Sequence, residues 1–403
     1  MKTELSNELL ATADGKEADS ILRTCVHCGF CNATCPTYQL LGDEKDGPRG
    51  RIYLIKQLLE GKEATQTTQQ HLDRCLTCRN CETTCPSEVK YSHLLEIGRK
   101  HIEKKVTRGF KSRVIRKFLL NVLPYEKRFT PLMRMGQVFR PLTPKVIKKK
   151  IPARTSKGLL PTKSHQRSML ILDGCVQPAM SPDINAATAR VLNKFGISLI
   201  TPAKAGCCGA VSLHLSAEEA AHDFMRKNID AWWPEIEKGA EAIIMTASGC
   251  GSTVKEYGHL LKHDEQYSEK ARRVSELCKD ISEIILDEDL SLFEDINSQN
   301  TKVSFHPPCT LQHGQKVTGV VETILQKSGY ELLPVLDSHL CCGSAGTYSV
   351  LQPEISEQLQ KNKITNLLAN KPDMVVTSNI GCQTHLQEAS DIPVVHWIHL
   401  LDS

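Results

Sequence analysis

The sequence predicts an α+β multidomain chain, an α-helical N-terminal module followed by two similar α/β repeats. Three observations predict it. Sixteen of the 17 cysteines fall into four groups of four, two groups before residue 90 and two after residue 170. The two later groups share an interval, Cys175 to Cys207 matching Cys309 to Cys341. Strand-like apolar runs alternate with helical patterns through the C-terminal part, the mark of parallel α/β units. The expected boundaries are 1–105 for the helical module, 106–166 for a basic connector, 167–290 for the first repeat and 301–403 for the second.

Composition narrows the function classes. A chain of 403 residues with 40% hydrophobic content is globular in type. No apolar run reaches bilayer-spanning length, and the start, "MKTELSNELLATADGKEADS", has neither an apolar core nor a small-residue cleavage site. The expected location is therefore cytoplasmic. Seventeen cysteines in a reducing compartment point to metal or redox chemistry over structural disulfides.

"CVHCGFCNATCP" holds Cys25, Cys28, Cys31 and Cys35, and "CLTCRNCETTCP" holds Cys75, Cys78, Cys81 and Cys85. Both read C-x2-C-x2-C-x3-C-P, the spacing by which ferredoxin-type modules hold two [4Fe-4S] clusters. Three thiolates at two-residue steps wrap one cluster, and loop N–H groups can face its sulfurs. The three-residue step turns the fourth cysteine toward the other cluster. Cys25, Cys28, Cys31 and Cys85 are thus expected at one cluster, and Cys75, Cys78, Cys81 and Cys35 at the second. A pair of structural zinc sites is the competing reading, disfavoured by two complete repeats each ending in Cys-Pro. Between the motifs the chain is helical in pattern, with Pro48 placed for a helix start. Arg49 and Arg51 in "GPRGRI" are expected as solvated arginines at that start.

From Arg99 to Arg167 there are 21 Lys and Arg against Glu103 and Glu126, so this segment carries about +19 in a chain of net +4. Apolar residues Phe110, Val114, Ile115, Phe118, Leu119 and Val122 have helical spacing that stops at Pro124. Prolines 131, 141, 144, 152 and 161 are expected to break any long element beyond it. Such a surface suits an anionic membrane leaflet or an acidic protein. It suits nucleic acid poorly, for want of interleaved aromatic residues.

In the C-terminal part, "SMLILDGCVQP" matches "TKVSFHPPCTLQ", and "AEAIIMTASGC" matches "PDMVVTSNIGC". Each repeat offers four thiols: Cys175, Cys207, Cys208 and Cys250, then Cys309, Cys341, Cys342 and Cys382. Adjacent cysteines bridge each other only with strain. They are well placed to bind one metallocentre, and the glycines beside them let the backbone approach it. Small buried core cysteines are the alternative.

These motifs, with "RTCVHCGFCNATCPTYQLLGDE", "GPRGRIYLIKQLLEG", "NIDAWWPEIE" and "DSHLCCGSAGTYS", resemble a known family. They are similar to the iron-sulfur subunits of flavin-linked hydroxy-acid dehydrogenases, which share the cysteine-rich "CCG" domain with heterodisulfide reductases. The resemblance covers nearly the whole chain. It implies no catalytic residue in this chain: flavin-binding subunits of a glycolate-oxidising complex would convert glycolate to glyoxylate. This subunit would pass electrons toward a membrane acceptor, a quinone, from a peripheral position on the inner face of the plasma membrane. The chain has no G-x-G-x-x-G of its own opening a βαβ unit near its start, in keeping with a carrier. A lactate or glycerol 3-phosphate dehydrogenase subunit, a heterodisulfide-type thiol site and a zinc-stabilised scaffold are the alternatives. One departure bears on the third cofactor question. Where heterodisulfide reductases close each domain with C-x2-C, this chain has Thr253 and His385. The non-cubane cluster of those enzymes is therefore in doubt, leaving a further ordinary iron-sulfur cluster or zinc for each CCG domain; His385 is expected as a surface or hydrogen-bonding histidine, with a nitrogen ligand as the alternative.

Cys278 is expected as a core thiol on a helix, and His306, His313 and His339 in structural roles near the second repeat's thiols. Trp232 and Trp233 read as a packed helix end.

Overall fold

The computed structural model describes residues 1–144, 148, 151–294, 296–297 and 300–402. Lys145, Lys149 and Lys150 of the basic segment lie outside these.

The N-terminal part is helical. Its core lies between helices Ala13–Thr24, Pro48–Leu59, Gln66–Asp73 and Tyr91–Lys105, packed through Leu22, Ile55, Leu72, Leu94 and Leu95. Pro48 stands at the first helical position, where its missing N–H costs no bond. The short helices Phe30–Ala33 and Asn80–Thr84 follow the two cysteine loops and pack on each other.

The two repeats are built alike. The first has β1 (Arg167–Ile171), β2 (Ile197–Ile200), β3 (Ile243–Met245) and β4 (Cys278–Asp280) in the parallel order β2-β1-β3-β4. The second has β5 (Lys302–His306), β6 (Glu331–Leu332), β7 (Met374–Thr377) and β8 (Val394–His396) in the order β6-β5-β7-β8. The chain leaves β1 toward one edge and β3 toward the other, so the reversal point lies between the ends of β1 and β3. In open α/β sheets that crevice is where ligands bind. One apolar core, including Phe293, Phe305 and Trp397, spans both repeats. The sheets meet at their carboxyl ends, where Ser248 N–H donates to Ser378 O at 3.1 Å and a His396 Nε2 bond reaches Thr246 O at 2.9 Å.

The basic segment forms two helices, Phe110–Val122 and Glu126–Phe139. The first stops before Pro124 as its pattern predicts. The second runs through Pro131, against the expectation that every later proline breaks an element. The missing N–H would have met the carbonyl of Lys127, an exposed residue, so water can serve that carbonyl and the helix survives. Cys278 is a correction of the same kind: it is buried as expected, but it opens strand β4, because the preceding helix ends at Leu277. Among the described residues no helix is long and apolar enough to cross a membrane.

Candidate metal centres

The two N-terminal loops reach their shape by the same backbone device. In the first, His27 and Gly29 have φ of 58° and 87°; in the second, Thr77 and Arg79 have 55° and 61°. Left-handed residues on either side of the middle cysteine curl the loop around one point, and Thr77 N–H donates to Cys75 Sγ at 3.4 Å. Arg79 carries the strain of a non-glycine residue in this region, about 1 kcal/mol. It is held by Glu82 at 2.9 Å and by Glu256 of the first repeat at 2.7 Å.

Cys25, Cys28, Cys31 and Cys85 line one cavity, which Cys81 also borders. Burial, then the neighbouring thiols of Cys25, Cys85 and Cys28, pushes the Cys31 thiol up to about 11. Cys75, Cys78, Cys81 and Cys35 form the second group. Burial raises Cys78 and Cys81, and each also responds to Cys75 and Cys35. The last cysteine of each motif therefore stands with the other motif. Thiols pushed up by burial, as Cys31, Cys78 and Cys81 are, suit a metal centre, whose charge would take the place of their protons.

Arg51 corrects the sequence expectation. It is fully buried, with Nε donating to His71 O at 2.8 Å and both terminal nitrogens to Thr37 Oγ1 at 3.2 Å. Thr37 Oγ1 lies 3.3 Å from Cys35 Sγ, and Asp46 balances the charge while bonding His71 and Arg74. Burial works against the guanidinium, yet Cys75, Tyr91, Cys35 and Asp46 together hold it charged. Tyr91 Oη adds a hydrogen bond to Cys75 Sγ at 3.5 Å. Arg49 is half-exposed and bonded to Glu44.

In each repeat the adjacent cysteines sit at the crevice predicted by strand order. Cys175 and Cys309 follow β1 and β5, and Cys250 and Cys382 lie in the first turns of helices Ser248–Val254 and Ile380–Ala389, which follow β3 and β7. The glycine after each pair is required. Gly209 and Gly343 have φ of 92° and 91°, and each donates its N–H to the first cysteine's Sγ at 3.4 Å. A Cβ at Gly343 would stand 2.6 Å from Ser356 O, and one at Gly209 3.0 Å from Ala221 O. Thiols run in the same order at both sites. In the first, hydrogen bonds from Cys207 and Cys250 hold Cys208 well down, while Cys207, bonded to Cys175 and Cys208, is pushed up. In the second, Cys309 Sγ and Cys341 Sγ are 3.7 Å apart, and Cys342 links Cys341 to Cys382.

Thr253 bonds Gly249 O within its own helix. His385 is buried, its ring 3.4 Å from Ser356 Oγ and its carbonyl taking Gln360 Nε2. His313 bridges domains, from Thr83 Oγ1 at 3.0 Å to His339 O at 2.9 Å. Trp232 is fully buried in the first repeat, as a packed helix end should be. Lys363, which pattern reading passed over, is buried beside Cys342 and Cys341. Burial pushes it below the usual lysine range against the pull of those thiols.

The helical module docks on the first repeat through another group missed in the sequence. His93 bonds Glu17 at 3.3 Å and Glu256 at 3.2 Å, and stacks on His259 at 3.9 Å between ring centroids. His259 and Lys262 also bond Glu17, at 3.1 and 2.6 Å. Burial opposes a charged His93, but the two carboxylates outweigh it and hold it at about 9. The protonated form is the docked one. Its contribution is complete below the ordinary histidine value near 6.5 and is lost as pH rises through about 9. Amide exchange over residues 91–105 and 256–264 is therefore expected to speed up at pH 10 relative to pH 7.5, after correction for intrinsic rates, with the β3 and β7 amides unchanged. Equal protection at both pH values would exclude the latch.

The helical module and the paired four-thiol crevices define a two-cluster iron-sulfur protein with duplicated CCG domains. A 4Fe-4S dicluster domain matches residues 21–89, and a cysteine-rich domain (CCG) matches 169–255 and 303–387. The glycolate oxidase iron-sulfur subunit of Escherichia coli (strain K12) is 55% identical over 403 residues, covering 100% of this chain and 98% of its own. The probable glycolate oxidase iron-sulfur subunit of Bacillus subtilis (strain 168) is 29% identical, covering 94% and 90%. Lactate utilization protein A of Oceanobacillus iheyensis is 25% identical over 57% of this chain and 94% of its own. The chain belongs to the family of glycolate oxidase iron-sulfur subunits.

Proposed function

We propose that this chain carries electrons from reduced flavin, on partner subunits that oxidise glycolate to glyoxylate, to a quinone in the membrane. The observation that carries the reading is the serial placement of the thiols. Cys78 of the second N-terminal group packs against the apolar cluster that holds Cys309 and Cys341, so the helical module leads directly into the second repeat. The first repeat adjoins in turn, through Ser248 Oγ and Thr310 Oγ1 at 2.8 Å.

Bound at the Cys25/28/31/85 and Cys75/78/81/35 sets, [4Fe-4S] clusters would supply one-electron carriers. The residues around them do the rest. Cys28 is exposed, flanked by exposed Val26 and Phe30, a small apolar rim on which a flavin subunit can seat. Burial of Cys35, Cys75 and Cys81 excludes water, while Arg51 and the Tyr91 hydroxyl bond to Cys75 favour added negative charge. Helices Phe110–Val122 and Glu126–Phe139 leave Phe110, Val114, Phe118, Met135, Val138 and Phe139 exposed amid the basic residues. This pair rests on the first repeat through Gln137 to Ala179 O at 3.2 Å and Tyr125 against Phe224. Apolar residues set among cations fit an anionic lipid surface.

Co-expression with flavin-binding subunits tests the reading. The purified complex is expected to reduce dye and quinone with glycolate. Phe110→Ser, Phe118→Ser and Val138→Ser together are expected to release it from phosphatidylglycerol vesicles, abolishing quinone reduction while sparing dye reduction. Isolation without flavin chains, or faster turnover of lactate or glycerol 3-phosphate, would overturn the assignment.

A further inference from the structure

The two CCG sites are alike in their four thiols and differ in one buried ring. Three residues before Cys309, at the end of β5, stands His306; three before Cys175 stands Leu172. Leu172 packs with Cys208 in an apolar cluster. His306 is 1% exposed, and neither ring nitrogen has a hydrogen-bond partner among the described residues. A buried imidazole with neither nitrogen hydrogen-bonded loses its water contacts without replacement, which is costly unless a ligand takes their place. The ring is aimed at thiols: its ligand nitrogen and the sulfurs of Cys342 and Cys382 all lie within 4.8 Å of one another. Lys363, the nearby buried cation, is occupied by the carbonyls of Asp337 and Ser338.

We infer that His306 is a nitrogen ligand to the metallocentre of the second repeat, making a site of four thiolates and one imidazole where the first repeat has four thiolates alone. The inference rests on metal binding by the CCG thiols. Five donors exceed the four that a structural zinc, or a cubane with one ligand per iron, takes, so the group is a polynuclear iron-sulfur cluster other than an ordinary cubane, with one iron bound by the imidazole. His306 then supplies the fifth donor that His385, turned toward Ser356, does not. Because this fifth donor is neutral, the second site carries less negative charge than one closed by a fifth thiolate and accepts an electron more readily than that one would.

Pulsed EPR on the full chain tests this, with protein grown on unlabelled and on 15N-imidazole histidine. The expected result is a strong, directly bonded histidine nitrogen coupling that changes with the label. It disappears in His306→Leu, which restores the residue found at the matching place in the first repeat, while iron and sulfide at the eight N-terminal cysteines stay constant. A milder His306→Cys variant is expected to keep the cluster, lose the nitrogen coupling and lower the midpoint potential. A second-repeat cluster without histidine coupling, or a coupling that survives His306→Leu, overturns the inference and leaves the CCG metal reading intact. Iron and sulfide content unchanged by Cys341→Ala with Cys382→Ala would instead remove the metal reading, and the inference with it.

Discussion

Replacing Cys35 by alanine is expected to remove the second [4Fe-4S] cluster and spare the first, although Cys35 stands in the first cysteine motif. Cys85→Ala is expected to do the reverse. Folding crosses the motifs, setting Cys35 with Cys75, Cys78 and Cys81, and Cys85 with Cys25, Cys28 and Cys31. Each variant should lose about four iron and four sulfide per chain. EPR should then show which cluster is left, because only the second adjoins Arg51 and the Tyr91 hydroxyl. Glycolate-dependent dye reduction should fall to background with Cys85→Ala, whose cluster lies at the exposed rim. Cys35→Ala should spare dye reduction and stop quinone reduction, since it breaks the link to Cys309. Loss of the first cluster on removing Cys35 would refute the crossed assignment.

Arg51→Leu is expected to destabilise the helical module by about 3–5 kcal/mol, the cost of breaking a buried ion pair from one side. Asp46 would keep His71 and Arg74 but lose a buried cation, and Thr37 and the His71 carbonyl would lose their donors. The measurement is the chemical-denaturation midpoint of the holoprotein. Arg51→Lys keeps the charge without the fork, so a smaller loss is expected. Where folded protein is recovered, the second cluster's potential should fall. At an effective dielectric near 20, a unit charge several ångströms away contributes roughly 2–3 kcal/mol, or about 100 mV for one electron. Tyr91→Phe, which removes only the hydrogen bond to Cys75, should shift the potential the same way by less. An unmoved potential in folded Arg51→Leu would show that the arginine is structural alone.

Much of this was legible in the chain. Two C-x2-C-x2-C-x3-C-P runs specify their own loops, because thiolates three residues apart reach one point only if the backbone curls between them. The matching Cys175–Cys207 and Cys309–Cys341 intervals announce two copies of one α/β unit, and both copies have the same strand order. The misreadings share a cause. Arg51 read as solvated because a helix start is usually wet; Thr37, Asp46 and His71, each from a different stretch, close over it. Pro131 read as a breaker because local rules cannot see that the affected carbonyl faces solvent. Cys278 kept a helical rhythm to the last residue, and pairing with β3 took it into a strand.

By itself the sequence determined the chemistry available: eight thiols in ferredoxin spacing, two sets of four in repeated crevices, and a basic connector with an apolar stripe. These are properties of residue type and short covalent reach, which hold wherever the chain goes. Tertiary structure decided which thiols are neighbours and what surrounds them: Cys35 beside Cys75, Cys78 beside Cys309, Arg51 in the dry interior, His93 between two carboxylates and His306 facing Cys342 and Cys382. Such contacts join residues tens to hundreds of positions apart. Burial in a low-dielectric interior then fixes their charge, so no local pattern records them.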